Sequence, residues 1–303
     1  MIRTFVVVLL AVVSPFTAGS ALEQTSPMSL TSVYRDLAYV RDGGPRQRLD
    51  LYVPTPPVPR VWEKPLSTGT VTRRLPVIVW IHGGAWIIGR KEDTVPLEWL
   101  GLGYAIASVD YRLSADAIFP AQQHDVKAAI RWLRANAEQY ALDPNRIVVW
   151  GESAGGHLAA LLGTTGEVPV LDVGDNLDRS SRVNAVIDFY GNVDLVADAT
   201  ANPAIAVKSP HARLLGGPVL ERQDLARQAN PVTYISKDDP PFLVVHGDAD
   251  RSVPYTQSVT LVEALRAAKV PVTFYSVAGG SHGDFEDPHL RRLVTDFLTS
   301  LAR

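Results

Sequence analysis

The stretch Ile147-Val148-Val149-Trp150-Gly151-Glu152-Ser153-Ala154-Gly155-Gly156 decides the fold. Its first four residues form a short apolar run that reads as a buried strand, and Ala154 to Leu162 reads as a helix. Between them a serine sits on a turn with glycine two residues before and two after it. Small residues are required there, because a tighter strand-to-helix turn leaves no room for side chains against the neighbouring strands. Ser153 is thereby presented as a nucleophile at the end of a strand, with the N-terminus of the following helix pointing at it. The partial positive charge of that helix end favours a developing oxyanion.

Working outward, the same rhythm repeats. Val77 to Ile81, Ala105 to Val109, Ala185 to Tyr190 and Phe242 to Val245 are near-continuous apolar runs, the pattern of buried parallel strands. Gln122 to Ala137 and Thr256 to Ala268 carry apolar residues at helical spacing, as in Val126, Ala129, Ile130, Leu133 and Ala137. A last strand at Val272 to Val277 and a helix from about His289 to Leu301 complete a mainly parallel α/β sheet covered on both faces. At the front, Tyr34 to Val40 and Arg48 to Val53 flank Asp42-Gly43-Gly44-Pro45 and read as an antiparallel hairpin. Pro54 to Pro65 is too rich in proline for a helix or central strand and is expected to be a surface loop. Val193 to Asn230 breaks the rhythm with Pro203, Pro210 and Gly216-Gly217-Pro218. Short helices forming a small cap over the C-terminal edge of the sheet are expected there.

Composition bounds the function. The chain has 303 residues, 46% of them apolar, enough for one sizeable core over residues 22–303. A net charge of −3 with interspersed signs offers no footprint for nucleic acid or an anionic membrane. Arg3, the apolar run Phe5 to Val13 and the small residues Ala18 to Ala21 read as a cleaved signal peptide over residues 1–21, an uncleaved anchor being the alternative. Export, to the periplasm or beyond, follows, with no membrane contact in the mature form. There is no cysteine, so disulfides and thiol chemistry are excluded.

Three further loops carry chemistry. His82-Gly83-Gly84-Ala85-Trp86 follows a strand, and the N–H groups of Gly83 and Gly84, with that of Ala154, are the predicted oxyanion donors. His82 is expected to hold that turn by hydrogen bonding, and Trp86 to pack the loop or line the substrate pocket. His246-Gly247-Asp248-Ala249-Asp250 follows another strand and offers two carboxylates. Asp250 is preferred, lying farther into the loop and four residues before Pro254, while Asp248 is expected to bond loop backbone. Gly279-Gly280-Ser281-His282-Gly283 follows the last strand and supplies the base, His282. His124, His157, His211, His246 and His289 read as structural or surface residues. Asp110-Tyr111-Arg112-Leu113 and Asp125 read as a structural ion-pair network. No metal-ligand spacing appears, and no cofactor is expected.

With these motifs assembled, the chain resembles bacterial carboxylesterases of the α/β-hydrolase superfamily, in particular the hormone-sensitive-lipase-like group and the related feruloyl and acetyl-xylan esterases. The resemblance spans roughly Arg48 to Leu301. It implies an α/β-hydrolase fold and a triad of Ser153, Asp250 and His282, in the order that distinguishes this superfamily from the chymotrypsin and subtilisin classes. Two departures matter. Ala85 stands where lipase-like members usually carry a third glycine, and the segment before the sheet lacks their larger helical cap. Both incline the expectation toward short acyl or aryl esters, among them acetyl or feruloyl esters of plant polysaccharide. A serine peptidase or amidase of the same fold and a non-catalytic binding homologue are the rival readings; oligomeric state is open.

Overall fold

A computed structural model describes residues 31–54, 74–283, 285 and 287–301. The signal segment and residues 55–65 of the proline-rich stretch lie outside the described residues.

Eight strands form one sheet: β1 (Thr31–Ala38), β2 (Arg48–Pro54), β3 (Leu75–Ile81), β4 (Ala105–Val109), β5 (Leu142–Glu152), β6 (Ala185–Phe189), β7 (Phe242–Gly247) and β8 (Val272–Val277). Their order is β1-β2-β4-β3-β5-β6-β7-β8. β2 is antiparallel to both β1 and β4, and every pairing from β4 through β3 to β8 is parallel. This is the α/β-hydrolase architecture expected, hairpin included. β1 sits earlier than the sequence pattern suggests and its register slips between Tyr34 and Leu37, where Asp36 takes a left-handed φ of 54°.

Strand alternation sorts the core into two layers. Val77, Val79, Ile81, Ile147 and Val149 face one layer, and Ile78, Trp80, Val148 and Trp150 face the other. The first is closed by α1 (Ala121–Ala135), α2 (Ala154–Thr164) and α7 (Thr256–Ala267), which contribute Val126, Leu158 and Leu261. The second is closed by α8 (Pro288–Ser300) and the 3-10 turn Leu97–Leu102, through Val294, Leu298 and Trp99. Burying both faces explains why the central strands are mostly apolar, Ser108, Asp188 and His246 being the buried polar exceptions.

The irregular region after β6 holds four short helices, α3 (Leu195–Ala201), α4 (Pro203–Val207), α5 (Pro210–Leu215) and α6 (Gln223–Gln228). Asp194 caps α3 and Ser209 caps α5, each accepting a backbone N–H of the first turn. Leu195, Leu214, Val219 and Ala226 belong to the first core layer, so this segment is rooted in the body of the domain. Among the described residues, no helix is long and apolar enough to cross a membrane.

Candidate active site

The parallel strands all end on one edge, and the loops leaving β3, β5, β7 and β8 there bring the predicted site residues together. At the end of β5, Ser153 holds φ 52° and ψ −118°, a strained conformation for a residue with a side chain. Its N–H donates to the Phe189 carbonyl at 2.8 Å, tying the turn to β6. The flanking glycines are obligatory: a Cβ on Gly151 would lie 2.2 Å from the Gly155 carbonyl oxygen, and one on Gly155 would lie 2.1 Å from that of Ile81.

The Ser153 hydroxyl lies 3.0 Å from His282 Nε2, and His282 Nδ1 lies 2.7 Å from Asp250 Oδ2. With Nδ1–H donating to the carboxylate, Nε2 is free to accept the serine proton. Asp250 Oδ1 accepts the N–H groups of Ser252 at 2.7 Å and Val253 at 3.0 Å. Burial pushes the Asp250 carboxyl up, but its bonds from His282 and these two amides outweigh burial and hold it below the usual carboxylate range. It is therefore an anion at neutral pH. Asp248, the competing candidate, instead accepts the Gly279 N–H at 2.7 Å, clipping the loop after β7 to the loop that carries His282.

Gly83 lies beside Ser153, since a Cβ built on the glycine would be 3.5 Å from the serine Cβ. Gly84 has a φ of 102°, and a Cβ there would meet the Ile88 carbonyl oxygen at 2.2 Å. Ala154 is the first residue of α2, where the helix supplies no acceptor for its N–H. His82 is buried, its Nδ1–H donates to the Gly83 carbonyl at 2.7 Å and its ring stacks on Tyr111. Burial lowers it to about 4, so it is neutral and holds the turn.

Trp86, expected to pack the loop or to line the substrate pocket, is only 1% exposed. Its ring packs between His157 of α2, at 5.1 Å, and His211 of α5, at 5.7 Å. A left-handed φ of 58° turns the chain at this position, and the indole packs the loop 82–86 onto the core. The Asp110 to Asp125 region is structural: Arg112 grips Asp125 with two nitrogens at 2.8 to 3.1 Å, and Asp110 accepts the Lys91 N–H at 2.9 Å.

Several neighbours of the site carried too weak a signal to be singled out. Glu152, just before Ser153, accepts Thr94 Oγ1–H and Tyr190 Oη–H, each at 3.0 Å. The Tyr190 ring packs edge-on against His282 at 4.7 Å. Glu152 and Tyr190, with Trp80, Trp150, Phe189 and Phe285, bound a cleft of about 370 Å³. Ile87, just past the oxyanion loop, joins Val207, Pro210 and Arg213 around a second one of about 530 Å³. Buried His246 also approaches Asp250, with Nε2 3.2 Å from Oδ2. Among the described residues, no group of three or more His, Asp or Glu converges as a metal site would need.

The arrangement has known counterparts. The BD-FAE family model matches residues 67–265. Esterase LipQ of Mycobacterium tuberculosis is 33% identical over 248 residues, covering 78% of this chain and 58% of that protein. The probable carboxylic ester hydrolase LipM of the same organism is 30% identical, covering 93% of this chain and 66% of its own length. The chain thus spans between half and two thirds of these relatives. Among solved structures, a truncated carbohydrate esterase from gut microbiota is 32% identical with a TM-score of 0.76, covering 89% of this chain and 96% of that one. A bifunctional GH43-CE protein of Bacteroides eggerthii is 37% identical with a TM-score of 0.79, covering 89% of this chain and 38% of that one.

Proposed function

The chain belongs to the BD-FAE family, and from that premise we propose that it is an exported serine carboxylic ester hydrolase. The observation that carries the reading is the continuous hydrogen-bonded line from Ser153 through His282 to Asp250, anchored on a strained turn beside Gly83. In this reading His282 takes the Ser153 proton as Oγ attacks the ester carbonyl. The oxyanion is met by the N–H groups of Gly83, Gly84 and Ala154, and Asp250 stabilises the imidazolium. His282 then protonates the departing alcohol. It next deprotonates a water that attacks the acyl-serine, releasing the acid and restoring the hydroxyl.

Carbohydrate esters with short acyl or aryl groups are the proposed substrates. The likeness to a carbohydrate esterase structure supports this, as does the aromatic-edged cleft of about 370 Å³ that Glu152, the residue before Ser153, helps to line. The charged n-region, apolar run and small residues before position 22 support export. The test is a matched panel of p-nitrophenyl acetate, a long-chain p-nitrophenyl ester, methyl ferulate, acetylated xylan and a peptide anilide. Ser153→Ala is expected to lower kcat on the preferred ester by about 10³-fold or more with an unchanged circular dichroism spectrum. Undiminished turnover in that variant would remove Ser153 from the role. Turnover of the anilide at the ester rate would move the chain to the amidases.

A further inference from the structure

The geometry points to His246 as a positioning residue that fixes the carboxylate of Asp250 through a second imidazole contact on the oxygen that meets His282. This assignment rests on the triad proposed above. His246 lies near the end of β7 and is fully buried. Its Nε2 is 3.1 Å from the Val253 carbonyl oxygen and 3.2 Å from Asp250 Oδ2. Its Nδ1 is 2.7 Å from Ser258 Oγ on α7. A carbonyl can only accept, so Nε2 must carry the proton. Nδ1 is then unprotonated and accepts the Ser258 hydroxyl. Burial lowers the His246 pKa, which keeps this neutral tautomer in place.

Asp250 is therefore gripped on both oxygens. Oδ1 is held by the loop amides of Ser252 and Val253, and Oδ2 is shared by two imidazoles. One imidazole is the partly exposed His282 that must cycle its proton, and the other is locked between β7 and α7. A carboxylate with one partner on Oδ2 could rotate with His282. With His246 on the same oxygen its plane is set before substrate arrives, and with it the tautomer and tilt of His282. His246 also takes part of the charge density on Oδ2 that would otherwise stabilise the imidazolium. The titratable groups around its ring are Asp250, His282, Tyr190 and Tyr255.

The experiment starts from the wild-type protein, with ¹⁵N shifts of His246 read in a histidine-labelled sample. A neutral Nε2–H tautomer throughout pH 6 to 8 is expected; an Nδ1–H tautomer overturns the proposal. His246→Phe, which keeps a ring and removes the donor, is expected to lower kcat roughly 10- to 100-fold with KM nearly unchanged. It should also move the acid limb of kcat/KM to higher pH, because His282 becomes the only imidazole on Oδ2. His246→Gln, whose amide can reach the same oxygen, should restore much of kcat and return the limb. A purely structural role would change melting temperature alone and leave the pH profile and kcat in place, which refutes the assignment. If His246→Phe does not fold, Ser258→Ala decides. A fall in kcat of about 3-fold with a displaced Nδ1 resonance supports the assignment, and no change in either overturns it. Ser153→Ala separates the two readings. If wild-type turnover survives that change the triad reading fails, whereas serine-dependent turnover with unaltered His246 variants fails the positioning role alone.

Discussion

Ser153 and Gly155 show how a single turn places local and global energetics in opposition. The backbone of Ser153 costs on the order of 1–3 kcal/mol, and the strands on either side must supply it. Gly155 is what allows α2 to approach β3 closely enough to do so. Gly155→Ala is therefore expected to destabilise the domain by at least about 3 kcal/mol and to abolish ester turnover, read by urea unfolding and initial rates. Gly44→Ala is the matched control. Nothing lies within 4 Å of its would-be Cβ, and the stability change should stay within about 0.5 kcal/mol. Glycine spacing was legible in the sequence because steric exclusion leaves a mark in residue identity. The burial of Trp86 was not, since an aromatic after a glycine pair reads the same whether its ring faces substrate or core. The second imidazole on Asp250 was invisible for a related reason: its partners meet only once the β7 loop has folded back over α7.

At the scale of elements, the buried strands announced themselves because a strand covered on both faces is built mostly from apolar residues, the few polar ones needing partners inside the fold. What the pattern could not show is how the short helices after β6 are joined to the loop 82–86. That junction is polar and buried. His157 of α2 donates from Nε2 to the Ala229 carbonyl at 2.6 Å, and Trp86 is wedged between it and His211 of α5. Burial lowers both histidines to about 4. In the unfolded chain they protonate near 6.5, so between about 6.5 and 4 the unfolded state binds more protons and stability falls as pH falls. Asp198, raised by burial to about 6, acts in the opposite sense over the lower part of that window. The informative quantity is therefore a difference. His157→Gln keeps a donor for Ala229 without a titrating group. Relative to it, the wild type is expected to lose on the order of 3 kcal/mol between pH 6.5 and 4, measured by chemical denaturation at each pH. A difference that stays flat with pH would mean that His157 takes up its proton in the folded protein as readily as in the unfolded chain.

For the whole molecule, the site depends on β3, β5, β7 and β8, while the antiparallel end of the sheet, β1 and β2, stands apart from the chemistry and has one strand largely exposed. An ion cluster ties that end to the centre. Lys91, in the connection from β3 to β4, is almost fully buried with its ammonium 3.0 Å from Asp36 of β1 and 3.1 Å from Asp50 of β2. Asp50 is fully buried and also receives Arg35 at 2.7 Å. In the sequence these charges look like any solvated set, because only the strand order β1-β2-β4-β3 gathers them. Removing one partner leaves a buried charge uncompensated, so Lys91→Met is expected to cost about 3–5 kcal/mol at pH 7 in guanidinium unfolding. Adding Asp50→Asn should recover part of that loss, since the orphaned charge is then gone. The pH dependence has a fixed sign. Lys91 holds the Asp36 and Glu92 carboxyls below their usual range, so their contribution is complete above that range and disappears as pH falls below it. The gap between wild type and Lys91→Met should accordingly narrow toward pH 3. A gap that persisted there would show that Lys91 does not act through the Asp36 and Glu92 carboxylates, and the hairpin would then be held chiefly by the Lys91 contact with buried Asp50.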